Sequence, residues 1–280
     1  MKDICIIAGE PNSINLEIIA KSWLKQKQNI KKKIVIVGSY DLINRQFKKL
    51  KYNIKVENID ILGKNAHNNK LRILNIPFKK NKLPKYIKDS LNKAHDLAIS
   101  KKINGFINCA IDKSNLPNKS GVTEYLARKN KNKLLKNMLI YNEKISVSPL
   151  TTHIELKKVS KIIKKNYIIK KIKDLENSYK NLFKKKPKIA VLGLNPHNNE
   201  YKKNSEEIKK IIPAINQLRK KISISGPYST DSFFSNSNLK KYDVIVGMYH
   251  DQVLTPFKTL YNFNAINITL GLNYLRISPD

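Results

Sequence analysis

Cysteine is almost absent: the 280 residues contain only Cys5 and Cys109. Two thiols cannot build the disulfide framework of a small secreted scaffold. Each sits inside an apolar, strand-like stretch, which reads as a buried free thiol in a reducing compartment. No uninterrupted apolar run approaches the roughly 20 residues that a membrane-spanning helix needs. The opening "MKDICIIAGEPNS" has neither the long apolar core nor the small-residue cleavage site of a signal peptide. Together these absences predict a cytoplasmic protein. Nucleotide fingerprints are missing too: neither G-x-G-x-x-G nor G-x-x-x-x-G-K-[ST] occurs, and there is no G-x-S-x-G nucleophile elbow.

Acidic residues are the other shortage. Twenty-one Asp and Glu face 55 Lys and Arg, a formal charge of +34. A basic chain of this kind invites a nucleic-acid reading, but the lysines occur in almost every segment instead of along one stripe, and few aromatics interleave with them. Lysine, isoleucine and asparagine share A/T-rich codons, so base composition alone produces the bias. No specific nucleic-acid partner is expected, only weak, salt-sensitive adhesion to polyanions.

What remains is an alternating pattern. Strand-like runs recur as "DICIIAG", "KKIVIVGS", "LRILNIPF", "INGFINCAI", "NEKISVSPL", "KPKIAVLGL", "KKISISGP", "YDVIVGMY" and "NAINITLG". Helical spacing marks "INLEIIAKSWLKQKQ", with Ser13 as N-cap, and "YIKDSLNKAHDLAISKK". It also marks "SEEIKKIIPAINQLRKK", with Pro213 inside its pattern, and a basic pair of helices within residues 154–187. Strands that are apolar throughout, separated by helices, predict an α/β fold with mostly parallel sheets and flanking helices.

Polar residues gather just beyond several strands. His153 follows "ISVSPLTT", His197 follows "IAVLGLNP", and His250 follows "VIVGMY". In a parallel sheet the carboxyl ends share one edge, so three imidazoles there can form a site for a divalent metal. They can equally stand as three separate loop histidines; the spacing does not choose. His67 and His95 read as surface residues. Lys258, Asn267 and Arg276 surround the last strand-like run, a combination suited to phosphate or carboxylate. Arg276 is the more telling cation, because arginine is scarce in a chain whose default cation is lysine. "GEPNSIN" is a tight turn into a helix whose amides could meet an anion, or a plain capped loop.

Taken together, "IIAGEPNSIN", "SGVTEYLA", "TTH", "GLNPHNNE", "EEIKKIIPAINQLR", "GPYSTDSFF" and "MYHDQ", with "NITLGL" leading to Arg276, resemble the 4-hydroxythreonine-4-phosphate dehydrogenase family of vitamin B6 biosynthesis, in order and at about its spacing. The resemblance implies a fold like that of isocitrate and isopropylmalate dehydrogenases, with two subdomains around a cleft. The expected division is 1–120 for an N-terminal α/β subdomain and 121–280 for a C-terminal metal, substrate and dimerisation subdomain. It implies a homodimer with a shared active site, NAD (or NADP) bound without a Rossmann fingerprint, and a divalent metal (Zn, Mg or Co) on His153, His197 and His250. Thr123, Lys258, Asn267 and Arg276 match substrate contacts, while Asp231 and Lys113 match polar neighbours of the chemistry. The implied reaction is oxidation of a phosphorylated amino acid followed by decarboxylation.

Three departures from that pattern stand out. Val122 occupies the position of the histidine in the family's G-H-T-E segment. "CAIDK" replaces a proline-containing loop, although Lys113 is kept. Family members usually continue past the position matching Asp280 through a histidine-glycine-threonine-alanine segment and a last helix. Val122 keeps open a related substrate, such as threonate or erythronate 4-phosphate. A divergent, non-catalytic homologue is the other alternative, against which the three intact histidines speak.

Overall fold

A computed structural model of the chain describes residues 2–279 apart from 64–68, 120, 131–136 and 236. His67 therefore lies outside the described residues. The chain divides into two compact units, Met1–Lys131 with Leu272–Pro279, and Asn132–Gly271.

The first unit runs β1 (Ile4–Ile7), α1 (Asn15–Lys25), α2 (Gln28–Lys31), β2 (Ile34–Gly38), α3 (Tyr40–Lys49), β3 (Lys55–Ile59), β4 (Lys70–Asn75), α4 (Leu83–Ile99), β5 (Gly105–Asn108) and α5 (Val122–Lys129). The second runs β6 (Asn137–Tyr141), β7 (Ser146–Pro149), α6 (Leu156–Ile162), α7 (Lys165–Phe183), β8 (Ile189–Leu192), α8 (Ile212–Arg219), β9 (Ile224–Tyr228), α9 (Thr230–Phe234), β10 (Val244–Gly247), α10 (His250–Tyr261) and β11 (Ile266–Leu270). The chain then returns to the first unit as β12 (Leu275–Pro279).

This division differs from a break at residue 120. Val122, Tyr125 and Leu126 of α5 pack into the first unit's core, which holds that helix on the earlier side. The return of β12 is a long-range pairing that no local pattern announces. Each strand-like run of the sequence forms a strand. β3, β6 and β12 lie outside those runs; β3 ("KVENI") is only half-buried and mixes charges with its apolar residues.

In the first unit the strands lie in the order β3-β4-β2-β1-β5-β12, every neighbouring pair parallel. Successive side chains of a strand point to opposite faces, and both faces are covered. Cys5, Ile7, Val35 and Val37 pack with α4 through Tyr86, Ile87 and Leu91. Ile34, Ile36, Leu71 and Ile73 pack with α1 and α3 through Leu16, Trp23 and Phe47. That double coverage is why these strands read as unbroken apolar runs. Ser13 does not cap α1 by the expected route. Ile14 is the N-cap, and the Ser13 hydroxyl accepts from the Asn15 amide at 3.2 Å while donating to the Glu10 carbonyl at 2.7 Å.

In the second unit the order is β11-β6-β7-β10-β8-β9. β6 is antiparallel to both neighbours, and β7, β10, β8 and β9 are mutually parallel. The carboxyl ends of those four strands therefore sit side by side, and the segments that leave them carry His153 and His197 on loops and His250 and Asp231 in the first turns of α10 and α9. Pro213 has no amide to give the helix, and a single π turn over Glu207–Ile211 precedes α8.

Candidate active site

At the edge of the second unit, β7 and β10 are tied beyond their ends. The Thr151 hydroxyl donates to the Met248 carbonyl at 2.7 Å, and the Leu150 amide to that of Gly247 at 2.8 Å. The tie brings the rings of His153 and His250 to 5.7 Å between centroids. They share a cavity of about 170 Å³ with Thr151, Tyr249 and Asp251. His250 opens α10, and its Nδ1 lies 2.8 Å from Asp251 Oδ1. A proton on Nδ1 donated to that carboxylate leaves the Nε2 lone pair to act as a ligand or base, the arrangement usual for metal-bound imidazole.

His197 is held differently. Residues 197–201 all have positive φ, between 48° and 54°, a left-handed turn that costs an L-residue about 1–2 kcal/mol per position. Buried polar groups anchor the turn and the residues before it. The carboxylate of Glu207, fully buried, accepts the amides of Leu194 (2.8 Å) and Asn195 (2.9 Å), and Asn195 Nδ2 at 3.0 Å. Burial pushes the Glu207 carboxyl upward, but these donors outweigh it and hold it below the usual range. Asn198, also buried, donates to the Pro227 carbonyl at 3.2 Å. His197 Nε2 then stands 3.8 Å from Asp231 Oδ2. The Ser229 hydroxyl and the Ser232 amide donate to Asp231 and keep its carboxyl ionised well into the acid range.

The donor chemistry suits a borderline divalent metal, and His250 with Asp251 has the outer hydrogen bond such a ligand needs. The structure brings His153 and His250 together and sets His197 with Asp231. Among the described residues, no group of three His, Cys, Asp or Glu side chains is arranged to hold a metal ion.

The first unit holds a separate polar cluster. Arg276 on β12 is buried; its Nε donates to Asn108 Oδ1 at 2.6 Å and its Nη1 to the Thr123 hydroxyl at 3.2 Å. Burial pushes the guanidinium down to about 10, with Glu124 and Tyr274 pulling the other way, so it stays charged at neutral pH. Val122 beside it is packed in the core and turns no polar group toward Arg276. Lys113 is exposed on a loop fixed from below: Glu10 Oε1 accepts the Asp112 amide at 3.1 Å and Asn115 Nδ2 at 2.9 Å. The "GEPNSIN" turn is thus a clasp for the Lys113 loop, with the Glu10 carboxylate as its acceptor. Gly9, with φ of 72°, lets this turn approach the Ala110 carbonyl.

His95 overturns its surface reading. It is buried and its Nδ1 lies 2.8 Å from the Tyr274 hydroxyl, two residues before Arg276. Lys258 and Asn267 stand apart from the histidine pair. Lys258 is eight residues along α10 from His250, about 12 Å of axial rise, with its Nζ over the Phe263 ring at 5.3 Å. Asn267 is on β11, with β6 and β7 between it and β10. Asn108, Glu207 and Asp251 were not singled out from sequence. Only Asp251, adjacent to His250 in "YHDQ", carried a local signal.

Comparison with known proteins supplies the family. The model of the pyridoxal phosphate biosynthetic protein PdxA family matches residues 30–280. The chain belongs to that family. It is 35% identical over 298 residues to the 4-hydroxythreonine-4-phosphate dehydrogenase of Sulfurihydrogenibium sp. (strain YO3AOP1), covering 100% of this chain and 90% of that one. A shorter match, 38% over 147 residues, is to a putative D-threonate 4-phosphate dehydrogenase of Oceanobacillus iheyensis, covering 51% of this chain and 44% of that one. Among solved structures, the 4-hydroxythreonine-4-phosphate dehydrogenase of Klebsiella pneumoniae superposes with a TM-score of 0.84 at 26% identity, covering 100% of this chain and 91% of that one. A protein of this family acts in pyridoxal phosphate biosynthesis, and its named members are dehydrogenases. Among the described residues no helix is long and apolar enough to cross a membrane.

Proposed function

We propose that this protein oxidises the secondary alcohol of 4-hydroxythreonine 4-phosphate with NAD, releasing a proton. The resulting 3-keto acid then loses carbon dioxide to give 3-amino-2-oxopropyl phosphate. The observation that carries the reading is the polar edge of β7, β10, β8 and β9, in a chain that aligns over its whole length with named dehydrogenases of this substrate. When bound, NAD supplies the hydride acceptor and a divalent metal (zinc, cobalt or magnesium) supplies Lewis acidity at the alcohol oxygen. His153, His197 and His250 would hold the metal; no residue is assigned to NAD.

The chain's own residues have defined tasks in this reading. Asp231, 3.8 Å from His197, is the carboxylate assigned the alcohol proton; the Ser229 and Ser232 donors that lower its pKa keep it ionised and make it a weak base. Arg276, braced by Asn108 and Thr123, is a fixed cation for the phosphate or carboxylate end, and Lys113 and Lys258 are further cations for the same groups.

Lys258 and Asn267 lie far from the histidines of their own chain, which favours a homodimer in which a second copy offers them. Leu260, Phe263 (77% exposed) and Ile266 form an apolar surface beside a cavity of about 670 Å³. Light scattering at micromolar concentration should give a dimer, and Phe263→Asp should shift it to monomer. A wild-type monomer would end the shared-site reading.

Val122 favours one alternative substrate. A buried valine cannot replace the family histidine's hydrogen bond, worth about 1.5–3 kcal/mol when the partner is charged. A different 4-phosphorylated hydroxy acid, D-threonate 4-phosphate, loses nothing if it has no group to meet that histidine. The test is kcat/KM for both substrates with NAD and added metal. Higher kcat/KM for 4-hydroxythreonine 4-phosphate supports the main reading; the reverse order replaces it.

A further inference from the structure

Gln252 has no role in the reaction just described, yet its side chain is the meeting point of the loops that carry it. It is buried in the first turn of α10. Its Oε1 accepts the Met248 amide at 2.6 Å. Its Nε2 donates to the Gly193 carbonyl at 2.5 Å and to the Thr230 hydroxyl at 3.0 Å. One carboxamide thereby fills its acceptor and both donors on the loops leaving β10 and β8 and on the first residue of α9, after β9. Met248 is two residues before His250, Gly193 four before His197, and Thr230 one before Asp231. Gly247 provides the room: a Cβ there would lie 2.9 Å from Gln252 Oε1 and 2.5 Å from Val253 Cγ1. Only an amide supplies this set. Glutamate keeps the acceptor but turns a second anionic oxygen on the Gly193 carbonyl, and leucine leaves all three partners unmet in a buried place.

We propose that Gln252 is a positioning residue that sets the loops of His250, His197 and Asp231 in one register, acting on the chemistry through them without touching substrate. The proposal rests on the dehydrogenase reading for its kinetic consequence and on the hydrogen bonds alone for its structural one.

Gln252→Glu and Gln252→Leu are compared with wild type, with folded protein counted by circular dichroism. Three measurements are made: Co²⁺ titration, kcat and KM for 4-hydroxythreonine 4-phosphate, and backbone amide exchange. Misplacing a reacting group by about 1 Å costs on the order of 10²-fold, so kcat per folded molecule should fall about that much. KM should move less than about threefold, since uniform binding is untouched. The Co²⁺ Kd should weaken about ten- to a hundredfold, the usual result of losing an outer support. In Gln252→Leu, exchange should quicken together at Met248, at Gly193–Asn195 and at Ser232–Phe233.

Variants that match wild type in kcat and Co²⁺ Kd overturn the proposal, as does quickened exchange confined to Met248. A wild type with no turnover and no Co²⁺ binding, beside quickened exchange in all three loops, removes the dehydrogenase reading and upholds the three-loop role.

Discussion

Arg276 shows what a single residue can be asked to do. Its guanidinium is directed by Asn108 through Nε and by Thr123 through Nη1, two bonds at fixed angles that an ammonium cannot reproduce. Arg276→Lys should therefore raise KM for the phosphorylated substrate by about ten- to a hundredfold, the worth of one charged hydrogen bond, with a smaller loss in kcat. Initial rates across substrate concentration check this; an unchanged KM would remove Arg276 from substrate binding. His95 gives a second prediction at this scale. Burial, aided by the Lys129 charge, lowers its pKa in the folded protein below the ordinary value near 6.5. The unfolded chain then binds a proton that the folded one refuses. Its contribution to stability is present above about pH 6.5 and is lost as pH falls from there through the lowered value. Urea midpoints at pH 7.5 and 5.5 should differ more for wild type than for His95→Gln.

At the scale of elements, the loop after β8 is the most demanding piece. A left-handed turn of five non-glycine residues is held at both sides: Glu207 accepts the Leu194 and Asn195 amides just before it, the Asn195 carbonyl accepts the Asn198 amide, and the Asn198 side chain donates to the Pro227 carbonyl. Gly193 is part of that device, since a Cβ there would strike Asn198 Oδ1. Gly193→Ala should lower the melting temperature and weaken Co²⁺ binding together. A melting temperature and Co²⁺ affinity equal to wild type would show that the turn tolerates the clash. Helix α10 is anchored by Phe257, fully buried among Ile140, Val147 and Ile245. Phe257→Ala should cost about 3–5 kcal/mol by urea unfolding.

These elements also mark how far the sequence could be read. The apolar runs of β2, β7, β8 and β10 were legible because burial on both faces leaves a signal within each run. The three strand-end histidines were visible for the same reason: a polar residue after an apolar run is a local event. Asn108, Glu207 and Tyr274 were not legible. Each acts through a partner at least twelve residues away, and no spacing encodes such contacts. His95 was misread because helical position alone does not tell which face of α4 meets Tyr274.

The chain carries a formal net charge of +34, with lysines spread through almost every segment of its sequence. Binding to duplex DNA should be independent of sequence and should fall steeply between about 50 and 200 mM salt, as counterion release requires. Tight, sequence-selective binding at the higher salt would contradict the metabolic assignment. The histidine edge is proposed to support oxidation of a phosphorylated hydroxy-amino acid. Its most direct test is NADH formation from 4-hydroxythreonine 4-phosphate with added Zn²⁺, Co²⁺ or Mg²⁺, wild type beside His250→Ala. Metal-dependent NADH formation that disappears in the folded variant is the expected result. Equal rates in both proteins, or none from a folded, metal-loaded wild type, would contradict it.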